Sequence, residues 1–433
     1  MISSKAYEML TGDDEGRVCK DIPESACNHQ PRNFMIHVAS LGATKTGDGL
    51  VDPKLVLSWL LGALGAPSAT VGLLVPVREA GALLPQLFTA AAIRSLPQRK
   101  WVWTAGSIVQ GLSLFGMAAA GLTLTGAAAG WAIVGLLAIF AVGRSACSVS
   151  YKDVLGKTVS KSSRGAATGT ASTIGAAAVL AFGIALGIGV LDKSVAVICG
   201  ALVVGGVLWI SAGLLFMTLR EVPGATDGGG NPLAVARDQV DLLRDDSQLV
   251  RFIATRGLLI ATALAPPYML ALAGRGADGG SLGSLGLLVI AAALAAMFST
   301  YVWGRLSDIS SRRVLALSAA TAAGALCATA TIGYAAQGLL QAGYVLPGLL
   351  FVLMIAYQGV RLGRSTHLVD MANEETRAAY TALSNTAIGI LLVAGGIFGV
   401  VADWAGETAV LAIFAAMSVA AFFSALGLEE VQH

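Results

Sequence analysis

Charged side chains stand inside otherwise apolar sequence at two places: Lys45 and Asp48 in NFMIHVASLGATKTGDG (33–49), and the adjacent Arg78 and Glu79 in GLLVPVREAGALLPQ (72–86). A poorly solvated carboxylate can carry a proton, and a neighbouring Lys or Arg can bind an anion or compete for that carboxylate. Neighbours at i,i+1 on a helix point about 100° apart, so Arg78 and Glu79 cannot serve mainly each other, whereas Lys45 and Asp48 at i,i+3 share a face. A crossed arrangement, Lys45 with Glu79 and Asp48 with Arg78, neutralises both pairs. Asn33, His37, Thr44 and Asp48 recur at helical spacing, which predicts a polar stripe lining a wet cavity. His37, Lys45, Asp48, Arg78 and Glu79 are therefore the candidate substrate- and proton-binding residues. The alternatives are a purely structural buried network, or a surface helix over 33–50 with the first membrane span at 55–77.

The elements that carry these charges follow from composition. Of 433 residues, 12% are charged and 55% hydrophobic, against about 25% charged in a soluble domain. This predicts an all-α integral membrane protein, because a chain crossing hydrocarbon must satisfy its own backbone. The 53 glycines suit helices packed closely where water supplies no driving force. Apolar runs predict about twelve spans, near 33–53, 69–93, 101–122, 126–147, 166–190, 194–219, 252–273, 282–303, 314–335, 343–363, 379–401 and 407–428. Each interior charge costs about 2.5–3.5 kcal/mol at mid-bilayer, on the order of 10 kcal/mol for the quartet unless the charges pair or meet water. At 1.5 Å per residue, Lys45 and Arg78 both fall near the midplane of a core about 30 Å thick.

Basic residues fall in alternate loops, among them Arg94, Arg99, Lys100, Lys157, Lys161, Arg164, Arg220, Arg305, Arg312, Arg313 and Arg377. The other loops hold Lys54, Lys193 and Arg275. The positive-inside rule then puts both termini in the cytoplasm of a multi-pass protein of the cytoplasmic membrane. The expected organisation is a polar tail (1–32), a first six-helix bundle (33–219), a Gly-rich charged cytoplasmic linker (220–250) and a second bundle (251–430). The tail carries no signal-peptide pattern. Cys19, Cys27 and His29 lack a C-x-x-C pair and a fourth ligand, so unpaired thiols are expected and no metal site.

The halves repeat: NFMIHVASLGAT (33–44) matches RFIATRGLLIAT (251–262), TVGLLV (70–75) matches SLGLLV (284–289), GRSA (143–146) matches GRST (363–366), and LREV (219–222) matches LEEV (428–431), at offsets of about 209–220 residues. The GLLV match sets Arg78 and Glu79 opposite Ala292 and Ala293, so the scaffold does not require these charges. The doubled GRS motif brings Arg144 and Arg364 toward the cytoplasmic ends of their spans, with Lys152, Asp153, Arg361, His367 and Asp370 nearby. Either they snorkel to headgroups or they form a gate.

Twelve spans in two similar halves, a mid-chain linker, and GRLSDISSRR (304–313) between spans eight and nine resemble the major facilitator superfamily. That loop fits the family's G-x-x-x-D-x-x-x-[RK]-[RK] signature through Gly304, Asp308, Arg312 and Arg313. The equivalent first-half loop, AAAIRSLPQRK (90–100), has Ile93 where the signature has an acid. The resemblance implies a major facilitator fold and a secondary active transporter that rocks its halves by alternating access. It also implies a cytoplasmic gate of salt bridges, for which Asp308, Arg364, Asp370 and Arg377 match, with Arg144, Gly304, Arg312 and Arg313 beside them.

The expected function is proton-coupled movement of a small solute across the cytoplasmic membrane by a monomer, with no cofactor beyond the ion gradient and no nucleic-acid partner. Import of an organic anion and export of a small organic molecule both remain open. A non-transporting sensor on the same fold is the alternative, followed by a membrane-embedded enzyme, for which no nucleophile–base or metal-ligand cluster is found. A Walker motif is also lacking.

Overall fold

Apolar runs of this length have one open solution in hydrocarbon, the helix, and the described apolar runs adopt it. The computed structural model describes residues 7–8, 10–11, 22, 24–192, 194–224, 226, 246–274, 285–341, 343–372 and 377–431, and every regular element among them is helical. Apart from a short helix at Glu24–Cys27 and a 3-10 turn at Gln337–Gln341, those of the first half are α1 (Gln30–Leu50), α2 (Val56–Ala63), α3 (Ser68–Arg94), α4 (Lys100–Thr123), α5 (Gly126–Thr158), α6 (Lys161–Gly187) and α7 (Val195–Met217). In the second they are α8 (Ser247–Leu259), α9 (Ala261–Gly274), α10 (Leu285–Ile309), α11 (Ser311–Ala335), α12 (Val345–Met371), α13 (Arg377–Ala394), α14 (Ile397–Ala405) and α15 (Glu407–Leu426). Among the described residues, nine helical segments are long and apolar enough to cross a membrane. Helices α1 and α3, which carry the interior charges, are 21 and 27 residues long and are not among these nine. Lys193, Arg275 and most of the 220–250 linker lie outside the described residues, as do the side chains of Arg94, Asp308 and Arg377.

The first span departs from the expectation. Residues 54–68 were expected to form a loop, yet Val56–Ala63 is a helix whose Val56, Leu57, Trp59, Leu60 and Leu61 are buried. The span is therefore α1 plus α2, broken at Asp52-Pro53. Proline lacks the N–H that would continue α1, the Asp52 carboxylate accepts from the Lys54 backbone N–H (2.6 Å), and α2 restarts with Val56 N–H on the Asp52 carbonyl (2.9 Å). Lys54, expected in a loop, is only 7% exposed.

Within the first half α1 packs on α6 and α7, α3 on α5, and α4 on α5 and α7; the second half repeats this with α11 on α12 and α15, and α10 on α12. The halves meet through α6 on α10 and α3 on α13 and α14. Small residues permit these crossings. A Cβ on Gly72 would lie 2.6 Å from the Gly399 Cα, and one on Gly286 would lie 2.4 Å from the Gly187 backbone nitrogen, so at both places backbone lies against backbone.

The end of the bundle holding the chain termini has a matched clamp in each half. Glu221, in LREV, accepts from the backbone N–H groups of Arg99 (3.0 Å) and Lys100 (2.9 Å) at the start of α4. Its carboxylate lies 3.5 Å from Lys157 Nζ, and Asp153 pairs with both Lys157 (2.5 Å) and Arg99. Asp153, on α5, thus supplies an acid where the loop itself has Ile93. Glu430, in LEEV, accepts from Ser310 Oγ (2.7 Å) and sits 3.5 Å from Arg312 Nε, while Ser310 caps α11 through Arg313 N–H (3.1 Å). The LxEV repeat is therefore a helix-start clamp. Glu221→Ala should lower stability by about 1–3 kcal/mol, since it orphans buried donors, and Glu430→Ala by less because that pair is one-third exposed; thermal unfolding in detergent measures both.

The described part of the tail is docked rather than merely solvated. Tyr7 is fully buried against Phe34 (ring centroids 5.1 Å apart) and accepts from Gln30 Nε2 at 2.6 Å. Cys27 is disulfide-bonded, against the unpaired state expected; Cys147, Cys199 and Cys327 are free thiols.

Candidate functional site

Asp48, in the last turn of α1, is held by arginines from two other helices. Arg78 Nη2, on α3, donates to its Oδ1 at 3.2 Å, and Arg144 Nη1, on α5, pairs with its Oδ2. Beneath them Phe140 and Trp209 meet edge-on at 5.7 Å; the Arg78 guanidinium lies 5.1 Å from the Phe140 centroid and that of Arg144 5.6 Å from Trp209. The Asp48–Arg78 pair is the one expected. Arg144, assigned from the sequence to a gate, sits in this interior cluster instead. With side-chain exposure of 20% at Asp48, 14% at Arg78 and 33% at Arg144, Asp48→Asn should cost about 1–3 kcal/mol by leaving two partly buried guanidiniums short of charge, read as a fall in the melting temperature of purified protein.

Lys45 and Glu79 form no direct ion pair. Lys45 is exposed at the edge of a cavity of about 290 Å³ between the halves, lined also by Asp52, Lys54, Ala292, Ala293, Tyr357 and Arg361. A Cβ on Gly175 would come within 2.7 Å of the Lys45 Cβ, so that glycine is what lets α1 lay Lys45 against α6. Ala292 and Ala293, the repeat counterparts of Arg78 and Glu79, line this same cavity. A smaller cavity of about 40 Å³ holds Glu79 with Arg256, Arg361 and Arg364, and Tyr357 and Arg361 line both spaces. Lys54 and Arg78 from its own half and Arg364 and Arg361 from the other are the cations around Glu79.

Lys54 spans the halves: its Nζ donates to Tyr357 Oη at 3.1 Å. The break at Asp52-Pro53 turns this lysine inward, as interrupted spans do at the substrate sites of transporters. Arg256, on α8, is 6% exposed and donates to Ser384 Oγ and to Asn385 Oδ1 (3.4 Å), and its Nε has no hydrogen-bond partner. Sequence reasoning missed Lys54, Arg256 and Tyr357. For Arg256 the signal was present, a lone arginine in the apolar run RFIATRGLLIAT whose aligned position in the first half is Val38.

The remaining candidates lie elsewhere. His37 is fully buried, hydrogen-bonded through Nε2 to Thr158 Oγ1 (2.8 Å) and enclosed edge-on by Tyr151 (5.5 Å) and Phe216 (5.3 Å). Asn33 exchanges two 3.1 Å bonds with the Arg220 backbone. The polar stripe of α1 thus turns into its own half over Asn33, His37 and Thr44, where Asn33 bonds past α7, His37 Nε2 bonds to α5 and Thr44 bonds back to the Leu41 carbonyl of α1, and it reaches the cavity only near Lys45. Gly304, Arg312 and Arg313 stay at the terminus end, where Arg312 faces Glu430 and the Arg313 N–H is capped by Ser310. Asp370 is exposed near the end of α12, and Arg364 faces Glu79 rather than that end. Asp308 and Arg377 cannot be placed in a gate, as their side chains lie outside the described residues.

A concavity of about 720 Å³ lies between α4 and α5 and is lined by Trp101, Val109, Ile139, Val142 and other apolar residues. Trp101, Val109, Ile139 and Val142 are exposed on the bundle exterior, which makes it a hydrocarbon-facing groove rather than a solute site.

Polar contacts between the halves are unevenly distributed. Among the described residues they are Lys54 to Tyr357 at the centre and, at the end away from the termini, Ser68 and Ala69 N–H to the Asp403 carboxylate, each at 3.1 Å. Asp403, on α14, thereby caps α3 of the other half. At the terminus end the hydrogen bonds among the described residues stay within a half, as in Asp246 with Tyr380 (2.5 Å) and Gln248 with Glu429 (3.3 Å).

No family model and no curated protein sequence matches this chain. Solved structures do. A variant of the nucleoside transporter NupG superposes with a TM-score of 0.72 at 14% identity, covering 92% of this chain and 100% of that one. A POT family transporter in complex with a thioalcohol-conjugated peptide gives 0.65 at 10% identity, covering 94% and 97%. A D-xylose-proton symporter gives 0.63 at 14% identity, covering 92% and 98%. These neighbours are transporters, not enzymes, of the major facilitator type. The chain is a multi-pass membrane protein with the major facilitator fold.

Proposed function

We propose, with that fold as premise, that this protein is a secondary active transporter working by alternating access and coupled to protons. The observation that carries the reading is the charged cavity between two halves that are latched at one end and share no polar contact among the described residues at the other. Gly72 against Gly399, Gly187 against Gly286, and the Asp403 cap close the end away from the termini. By the distribution of basic loops that end is the outer one, both termini are cytoplasmic, and the described conformation is open toward the cytoplasm. Rocking the halves about the cavity would release the Asp403 cap and expose the same side chains to the other face.

Glu79 is the proton carrier in this reading. Asp48 is committed to Arg78 and Arg144 and holds the first half together. Glu79 makes no direct ion pair, lines an inter-half cavity and lies in the field of cations from both halves. Protonating Glu79 frees those cations for another partner; deprotonating it reclaims them, and this exchange is the coupling. NupG, the POT family and the xylose symporter take chemically different solutes, so the fold supports the transport reading and leaves the solute to the site itself.

The test uses proteoliposomes containing a trapped pH dye and an imposed gradient, challenged with pooled organic anions, amino acids, sugars, nucleosides and cationic drugs. One pool should trigger proton entry only in vesicles that carry the protein. If no pool moves protons and no radiolabelled solute enters, the transport reading falls and a sensor on this fold takes its place.

A further inference from the structure

The cavities between the halves are lined by more basic groups than acidic ones, and the excess has no ion-pair partner among the described residues. In the smaller cavity Arg256, Arg361 and Arg364 face the single carboxylate of Glu79. In the larger one Lys45, Lys54 and Arg361 face Asp52, which already accepts from the Lys54 backbone. Asp48 is taken by Arg78 and Arg144. No ion pair engages Arg361 or Arg364 among the described residues, and the Arg361 guanidinium rests 5.9 Å from the Tyr357 ring centroid. Arg256 is the sharpest case: it is nearly inaccessible, its hydrogen bonds go to the neutral Ser384 and Asn385, and its Nε is unsatisfied. A buried guanidinium without a counter-charge is expensive to keep, and Arg256 on α8 grouped with the more accessible Arg361 and Arg364 on α12 around one space suits a ligand that brings the charge with it.

Resting on the transport reading above, we infer that the solute is a small organic anion bearing a carboxylate or phosphate. Arg256, Arg361 and Arg364 receive its anionic group, and the rest occupies the cavity beside Lys45 and Lys54. Glu79 and the solute compete for the same arginines, so the anion binds when Glu79 is protonated, and solute and proton cross in the same direction. The first half thus supplies the proton carrier and the second half the anion-binding arginines.

The experiment titrates purified full-length protein in detergent with succinate, citrate, glycerol 3-phosphate and inorganic phosphate, beside glucose, uridine and tetraphenylphosphonium. Binding is read by calorimetry and by the rise in melting temperature that any ligand of the folded state produces. At least one organic anion should bind, and the carboxylate and phosphate arms tell the two headgroups apart. Arg361→Gln and Arg364→Gln should each weaken it roughly ten- to hundredfold, as loss of a charged hydrogen-bonding partner does. Arg256→Lys, which keeps the charge and removes the fork, should weaken it as well, whereas Arg32→Gln, at the terminus end, should leave it unchanged. Binding of glucose, uridine or the cation in place of every anion overturns the inference, as does the absence of anion binding to wild type or wild-type affinity in both Arg361→Gln and Arg364→Gln. In proteoliposomes the two readings separate: an anion that binds but is never moved removes the transport reading and keeps the site, while a neutral solute moved with protons does the opposite.

Discussion

Glu79→Gln should abolish uphill accumulation while leaving solute exchange intact. With the membrane potential clamped and a gradient of about one pH unit imposed, each coupled proton sustains about a tenfold accumulation. Wild type should reach that ratio in proteoliposomes and the glutamine variant should settle at about one. Glutamine keeps the size and hydrogen-bonding capacity of a protonated Glu79 and cannot release the proton, so the halves should still rock and counterflow of labelled against unlabelled solute should persist. Wild-type accumulation in the variant would make Glu79 a structural charge. Loss of counterflow together with accumulation would make it a binding or positioning residue. The site allows this separation because Glu79 has no direct ion-pair partner to strand, unlike Asp48, whose removal upsets two arginines.

The second large effect is expected at the closed end. A Cβ at Gly399 would lie 2.9 Å from the Ala69 Cα and 3.0 Å from the Ser68 carbonyl oxygen. These are backbone atoms, which cannot rotate away, so Gly399→Val should prevent α14 from lying on α3. Overpacking of this kind costs about 1–3 kcal/mol or more. It falls only on the conformation in which these helices touch, and so biases the equilibrium by roughly ten- to hundredfold toward the state open at that end. Spin labels at positions 123 and 404, exposed at that end on opposite halves, should move apart in the variant, and net transport should fall while solute binding survives. An unchanged distance would mean that the glycine contact does not close the transporter. Removing the Asp403 carboxylate tests the same end with a smaller effect, since it deletes a cap without adding bulk.

The fold was readable because its determinants are local. Long apolar runs, basic residues in alternate loops and a repeat offset of about 209–220 residues need no knowledge of which helix touches which. The helices begin within about five residues of the expected spans over most of the chain. The exception, the break at Asp52-Pro53, was marked by its proline but masked by the apolar run that resumes at Leu55. The LREV and LEEV match was visible as a repeat, and only the positions of Arg99 and Ser310 revealed why each half keeps a glutamate there.

The site was readable in part. Charge in an apolar segment identifies Lys45, Asp48, Arg78 and Glu79 as costly from the sequence alone, and sign and depth suffice to pair Asp48 with Arg78. Which way each charge faces depends on helix rotation and on the neighbours across the gap. His37 has the right spacing for the cavity stripe, but Tyr151, Thr158 and Phe216 enclose it inside its own half. Arg144 and Arg364, read as gate residues from their positions along their spans, instead face the carboxylates of Asp48 and Glu79. Arg256 and Tyr357 gain their importance from lying across the gap from the first half.

By itself, then, the sequence determined a duplicated helical membrane protein with an ionised interior, because hydrophobicity, charge bias and the energy of a charge in hydrocarbon are properties of segments. Tertiary structure decided that the interior is a cavity with more arginines than carboxylates, that Asp48 is bound and Glu79 is not, and that one end is sealed by glycines. Those are properties of pairs of residues from separate helices, and a distance between helices is written in no single stretch of sequence.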